Sequence, residues 1–338
     1  MLKMAVRNTK KLIREKSKEE NIRLGRFFTK ADTARLMANM CSLPTTSVVR
    51  VLDPGAGTGI LSAALVERLC QSETVKEIDL VCYENNATYL PMLEYNLQRL
   101  RKRCRKLYGV KLVVNVLEEN YVLSGKAAYA IHIFREEADQ FDYIIMNPPA
   151  ELMPATSPEA LCVTDLFKGG VDLTYLFLAM ANNALAKGGE LVALLPTVFS
   201  TSPQLAKLRC HLFSENTLKH LHMFCANKPK KPLKKHMVMH ICHTQPQATD
   251  TVGITVSLDD GSPEGTTLLP SQTQAVMLRG EDKSMLLFRD ATEIKVMQYM
   301  QSLTCSFATF GLRMKTGLVL PSRYRDYLYD TPVPGTVP

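Results

Sequence analysis

"VVRVLDPGAGTGILSAALVERLCQ", residues 48–71, decides the fold. An apolar, β-branched run ends at Asp53, Pro54 and three alternating glycines follow, and apolar residues then recur at helical spacing from Ile60 to Leu69. A strand that passes through glycines directly into a helix is the first half of a βαβ unit. Closely spaced glycines let the backbone approach a ligand and leave the first helix amides facing it. The spacing is GxGxG rather than G-x-G-x-x-G, and no lysine of the triphosphate-cradling type accompanies it. Asp53, Pro54, Gly55, Ala56, Gly57 and Gly59 are therefore expected to hold a nucleotide-like ligand without a triphosphate.

Outward from this unit, strand and helix signals alternate. "EIDLVCYEN" reads as a strand, "TYLPMLEYNLQRLRKRCRKLYG" as a helix closed by Gly109, and "VKLVVNVL" and "QFDYIIMNPP" as strands. "LTYLFLAMANNALAKGG" reads as a helix stopped at Gly188-Gly189, followed by the strand "ELVALLP". "TKADTARLMANMCSL" is a helix with Thr29 as its expected cap. This rhythm predicts an α/β fold, a doubly wound, mostly parallel sheet covered by helices on both faces. A charged arm is expected over residues 1–24, a catalytic domain over 25–245, and a C-terminal extension over 246–338, where turn formers dominate.

With 338 residues and 46% hydrophobic content, the chain can bury a sizeable core. No apolar run is long enough for a membrane span, and the charged start has no secretory pattern. Nine cysteines without C-x-x-C pairs imply reduced core residues. The formal charge of +8 is concentrated in "KKLIREK", "RLRKRCRK" (99–106) and "KPKKPLKK" (228–235), which together favour a polyphosphate partner. Lys228, Lys230, Lys231, Lys234 and Lys235 are the expected nucleic-acid contacts.

Glu84, with Asn85 beside it, ends the strand after the glycine loop, where a carboxylate can accept from both hydroxyls of a ribose. Loop and acid together describe an S-adenosylmethionine pocket. Further on, Asn147-Pro148-Pro149 ends a buried-looking strand. The prolines remove two donors and fix the chain, so an amide oxygen and a rigid carbonyl can accept both hydrogens of an exocyclic amine. That pair would orient the nitrogen lone pair toward a methyl sulfonium without a strong base.

This ordered set resembles the gamma-class N6-adenine DNA methyltransferases of restriction-modification systems. "GRFFTK" (25–30), "DPGAGTG", "YENN" and "NPPA" stand in the family's order, over about residues 20–330. The resemblance implies a Rossmann-like fold, S-adenosylmethionine as cofactor, and a bacterial or phage cytoplasmic or nucleoid setting. It places Phe28 and Thr29 at the methionine end of the cofactor. It also places Asn120, before Tyr121, at the adenine, a position usually held by an acid; Glu119 lies one place earlier.

Two departures bear on activity. The family's aromatic after N-P-P is Ala150 here, and no second aromatic occurs over residues 226–235, so neither wall that stacks on a flipped base is present. The catalytic set Asn147, Pro148, Pro149 and Ala150 is thus expected to transfer methyl groups to adenine N6 in DNA, weakened by Ala150. The alternatives are an inactive subunit that binds cofactor with DNA or a partner, and an N-P-P methylase of RNA or of protein glutamine. Sequence recognition is expected from a missing domain or a separate specificity subunit. His220, His222, Cys225, His236, His240, Cys242 and His243 crowd one region, but "HMVMHICH" alternates as a strand and carries no zinc-knuckle spacing.

Overall fold

A computed structural model describes residues 1–14, 28–126, 140–167, 169–225, 236–258, 261–305 and 309–312. The chain divides into two units, Met1–Ala291 and Thr292–Pro338. The first is built on one nine-stranded sheet. In the second, the described structure is the rest of a helix, Ala291–Ser302, and the few residues after it.

The sheet's strands are β1 (Val48–Asp53), β2 (Glu77–Tyr83), β3 (Lys111–Leu117), β4 (Phe141–Met146), β5 (Leu185–Pro196), β6 (Thr217–Cys225), β7 (His236–Cys242), β8 (Thr251–Leu258) and β9 (Thr266–Thr273). Their spatial order is β9-β8-β6-β7-β5-β4-β1-β2-β3. From β3 across to β5 all neighbours are parallel. Strand β7 then inserts antiparallel between β5 and β6. The order reverses at β1, where one crossover leads to β2 and the next neighbour is β4. A ligand crevice belongs at the carboxyl ends of strands flanking such a switch point.

The helices that position this edge are α1 (Leu2–Arg14), α2 (Ala31–Met40), α3 (Ile60–Leu69), α4 (Leu90–Tyr108), α5 (Leu173–Asn183) and α6 (Ala206–Glu215). One core joins α1 through α4 to a face of the sheet, with Ala5, Met37, Leu65, Val66, Leu93 and Leu97 packed on Val51, Ile78 and Leu80. Helix α3 has no free polar face: eight of its ten residues are buried. Each fully buried leucine there is worth about 2 kcal/mol of transfer free energy.

Three expectations change. Leu2, Met4, Ala5 and Thr9 are buried, so α1 is part of the folded unit rather than an arm. Strands β8 and β9 extend the same sheet past residue 245, because β8 pairs in parallel with β6 and β9 closes the edge as a hairpin. Helix α5 ends at Asn183 rather than at the glycines, and β5 begins at Leu185. A Cβ at Gly189 would lie 2.8 Å from the Ala186 carbonyl oxygen and 2.9 Å from that of Phe141, so this glycine serves an irregularity inside the strand.

Candidate functional site

Strand β1 delivers Asp53 to the head of the glycine loop. Gly57 and Gly59 have φ of +56° and +80°, a region open to glycine at little cost, and Gly59 starts α3 from it. The loop is held by its neighbour strand: the Ala56 amide donates to the Tyr83 carbonyl at 3.0 Å, and the Gly57 amide to Glu84 Oε2 at 2.8 Å. The other Glu84 oxygen accepts from the Asn86 amide at 2.8 Å. The Asn85 amide also donates to this carboxylate, whose remaining acceptor capacity is left for an incoming hydroxyl. Burial holds the Glu84 carboxyl above its usual range, against the pull of these amides.

Asp53 is fully buried and accepts the Ser62 amide and hydroxyl, at 3.1 and 2.6 Å, on one oxygen alone. Its Oδ1 has no partner, a condition shared among buried side-chain polar atoms of the described residues by Asn216 Oδ1. Asp53 alone of the two borders the glycine loop. Burial pushes its carboxyl up to about 7, and Glu84 adds to the effect. A buried acceptor left without a donor costs about 1–3 kcal/mol, so this oxygen is poised for a ligand that brings a donor or a positive charge.

The loop is also clamped from behind. Thr9 of α1 donates its hydroxyl to the Ala5 carbonyl at 2.9 Å and stands 2.6 Å from the Thr58 hydroxyl. With its one proton engaged, Thr9 accepts from Thr58. Asn96 of α4 donates to the Thr58 carbonyl and accepts from Asn8, both at 2.8 Å. Thr58, Thr9 and Asn96 are all buried. None of Asn8, Thr9 or Asn96 stands out in the sequence, since a threonine or asparagine inside a helix breaks no pattern.

Strand β4 carries Asn147 to the same edge. Its amide nitrogen donates to the Thr29 hydroxyl at 3.0 Å. Thr29 thus fixes the amide's orientation instead of capping α2, whose first turn has no side-chain cap. The Pro149 carbonyl accepts from Thr174 of α5 at 3.2 Å, and Asp172 caps α5 by accepting from the Thr174 amide at 2.9 Å. Pro148 is buried and Ala150 exposed.

Aromatic rings bring the two segments together. A Cβ on Gly55 would meet Phe177 of α5 at 3.4 Å and Pro149 at 3.8 Å, ordinary contact distances that place this ring and proline against the loop. Phe177 packs on Tyr121 at a 5.3 Å centroid distance, and Tyr121 on Tyr83 at 5.0 Å. Phe28 lies over Gly57, 3.6 Å from where a Cβ would be, and meets Tyr89 edge-on at 5.2 Å. Phe177 was hidden in an apolar helix that reads as core throughout.

Asn120 has a different local task from the one expected. Its Oδ1 accepts from the amides of Val122 and Leu123, at 3.1 and 3.3 Å, capping the one-turn helix Tyr121–Ser124, and its amide nitrogen donates to Glu159 at 2.9 Å. The oxygen that would have faced an adenine amine is turned inward to the cap. Asn85 is exposed beside Glu84. Lys228, Lys230, Lys231, Lys234 and Lys235 lie outside the described residues, as do Gly25, Arg26 and Phe27.

The described histidines are engaged as structural groups. His222 contacts the Thr255 hydroxyl at 2.8 Å through one nitrogen and the Ser257 hydroxyl at 2.9 Å through the other, while His220 shares Thr255 at 2.8 Å. His240 pairs with Glu190 at 2.9 Å, and Glu190 also receives the Ser42 amide and hydroxyl. All nine cysteines are free.

The fold and its ligand edge define a class: the Rossmann-like architecture of S-adenosylmethionine-dependent methyltransferases. No family model matches the chain. It is similar to two type II methyltransferases, M.BsuBI of Bacillus subtilis (24% identical, over 93% of this chain and 62% of the relative) and M.PstI of Providencia stuartii (25%, over 94% and 62%). The chain therefore spans less than two thirds of the length of these relatives. A solved chain from Vibrio vulnificus, described as a modification subunit of a type I restriction enzyme, shares the fold with a TM-score of 0.55 at 15% identity. That match covers 78% of this chain and 59% of the other.

Proposed function

We propose that this chain uses S-adenosylmethionine to methylate the N6 amine of adenine in DNA. The observation that carries the reading is the Asn147 amide at the β4 edge, oriented through its nitrogen by Thr29 beside the glycine loop. The oxygen of the same amide is an acceptor of the kind that a substrate amine requires. The two relatives, both named type II methyltransferases, support methyl transfer.

The residues fit the cofactor. The unpartnered Asp53 oxygen suits an ammonium group, the remaining acceptor capacity of Glu84 suits a ribose hydroxyl, and Phe28, Tyr121 and Phe177 supply apolar walls. When bound, S-adenosylmethionine would supply an electrophilic methyl group. Asn147 Oδ1 and the Pro148 carbonyl would accept the two hydrogens of the amine and orient its lone pair along the line of attack. The two prolines keep these acceptors fixed, so stabilisation of the developing positive charge on nitrogen needs no reorganisation. With no strong base required, the surplus proton is left to water after transfer. With Asn120 Oδ1 engaged in its cap, the Glu159 carboxylate that Asn120 contacts would be the acceptor for the adenine amine of a bound cofactor.

Ala150 favours a second reading, a chain that binds cofactor and DNA yet transfers slowly or serves as a subunit. Loss of aromatic stacking removes about 1–3 kcal/mol of hold on a flipped base. A recognition element, in a further region or on a separate specificity subunit, would supply the target sequence; the setting would be a bacterial or phage-infected cytoplasm. The test is transfer of labelled methyl groups to DNA, RNA and protein. DNA labelling that falls about 10²–10³-fold in Asn147→Ala, with cofactor affinity kept, is the expected result. A gain of roughly five- to 150-fold in Ala150→Tyr identifies the missing wall. No cofactor binding by the parent protein would end the reading.

A further inference from the structure

The glycine-loop edge does not use the chain's largest concentration of charge. Helices α1 and α4 lie side by side and antiparallel: Asn8 bonds Asn96 at 2.8 Å, and Met1 meets Cys104 at 3.7 Å. Between them they expose Lys3, Arg7, Lys10, Lys11 and Arg14 on one helix and Arg99, Arg101, Lys102, Arg103, Arg105 and Lys106 on the other. The acid on either helix is Glu94. Eleven of the chain's 41 Lys and Arg and one of its 33 Asp and Glu thus fall here, so two helices carry a formal +10 and the rest of the chain −2. None of the eleven side chains forms an ion pair among the described residues. Four of them, Arg101, Lys102, Arg105 and Lys106, line one shallow surface depression.

Helix α4 leaves the carboxyl edge after β2 and runs back toward the amino end of β3, so residues 99–106 lie away from the Asn147 edge. We infer that the joined α1 and α4 surface is a second binding face for duplex DNA, engaging backbone phosphates apart from the target base. The inference rests on DNA being the substrate. Nineteen helical residues extend about 28 Å, most of a duplex turn, and a duplex presents a phosphate charge about every 1.7 Å of axis. A membrane surface is the poorer match. An interfacial helix needs a free apolar face, whereas Leu2, Met4 and Ala5 of α1 and Leu93, Leu97 and Leu100 of α4 are buried in the core.

The test titrates a duplex of several turns into the parent and into the fourfold variant Arg101→Glu, Lys102→Glu, Arg105→Glu, Lys106→Glu, over a range of salt. Circular dichroism and melting serve as folding controls. The variant is expected to bind at least ten-fold more weakly, with the slope of log affinity on log salt reduced by about three to four. Lys3→Glu with Arg7→Glu on α1 should lower the slope by about two. Unchanged affinity and slope in both variants overturn the inference, as does a parent that binds phosphatidylserine vesicles but not the long duplex. Absence of methyl transfer with the duplex titration as expected overturns the substrate reading and leaves the face standing.

Discussion

At the carboxyl end of β1, Asp53 is fully buried with one oxygen unpartnered; four strands away on β6, His222 is as deeply buried with both ring nitrogens on hydroxyls. The histidine region has been completed by its own chain. Thr255 and Ser257 of β8 reach both rings, and Glu190 reaches His240. The glycine-loop region is completed on every side but one, with Ser62 and Gly57 in place and Asp53 Oδ1 left over. Buried polar groups that are satisfied describe architecture, and an unsatisfied one beside a glycine loop invites a ligand.

The largest effect that sharpens this contrast is one of pH. The Asp53 carboxyl stands at about 7 in the fold against an ordinary 3.8, so the folded state holds a proton that the unfolded chain has released between these values. Stability from this group is complete below 3.8 and is lost as pH rises toward 7, by an amount on the order of 4 kcal/mol. Denaturant unfolding of Asp53→Asn should lack that falling limb. A ligand's ammonium group against the carboxylate reverses the preference, so affinity for S-adenosylhomocysteine, which carries that group, should climb through pH 7 in the parent and stay level in the variant. Equal pH slopes in both proteins would remove Asp53 from the site.

The histidines lean the other way. Burial brings His220 and His222 down to about 4 from 6.5, so their contribution is complete above 6.5 and is lost as pH falls toward 4, at roughly 3 kcal/mol for each ring. Replacing His222 with leucine should flatten the acid limb and leave cofactor affinity per folded molecule unchanged; a changed affinity would join the two regions that the geometry separates. Smaller still is the cost of crowding. A Cβ at Gly253 would stand 2.6 Å from His220 Nδ1, so Gly253→Ala should lower stability by about 1–3 kcal/mol through overpacking, again without touching the ligand. Thr9→Val removes two hydrogen bonds of a buried hydroxyl, about 1–2 kcal/mol, yet should weaken cofactor binding several-fold because one of them ends on the glycine loop. Calorimetric titration decides between a loop effect and a purely global one.

What the sequence disclosed follows the same division. The switch-point unit was legible because its strand, glycines and helix are local and periodic, while the positive φ of Gly57 and Gly59 emerged with the fold. Strands β8 and β9 were not, since "VGITVSL" and "TTLLPSQT" sit among turn formers and acquire meaning from pairing with β6 and with each other. Thr29 was found as a site residue, but its role came from Asn147, 118 positions away. Asn120 was read by position, and its helix-capping task appears only once the turn that follows is folded. Phe177 carried no signal, because an aromatic in an apolar helix looks the same whether it faces a ligand or a neighbouring leucine.

The bond between Thr9 and Thr58 joins the first helix to the loop that would hold a cofactor. Opening the loop breaks that bond, and fraying α1 releases the loop, so their amides should exchange with solvent as one cooperative unit. Helix α1 contributes no residue to the proposed pocket, and its exchange rate would nonetheless report whether the pocket is filled.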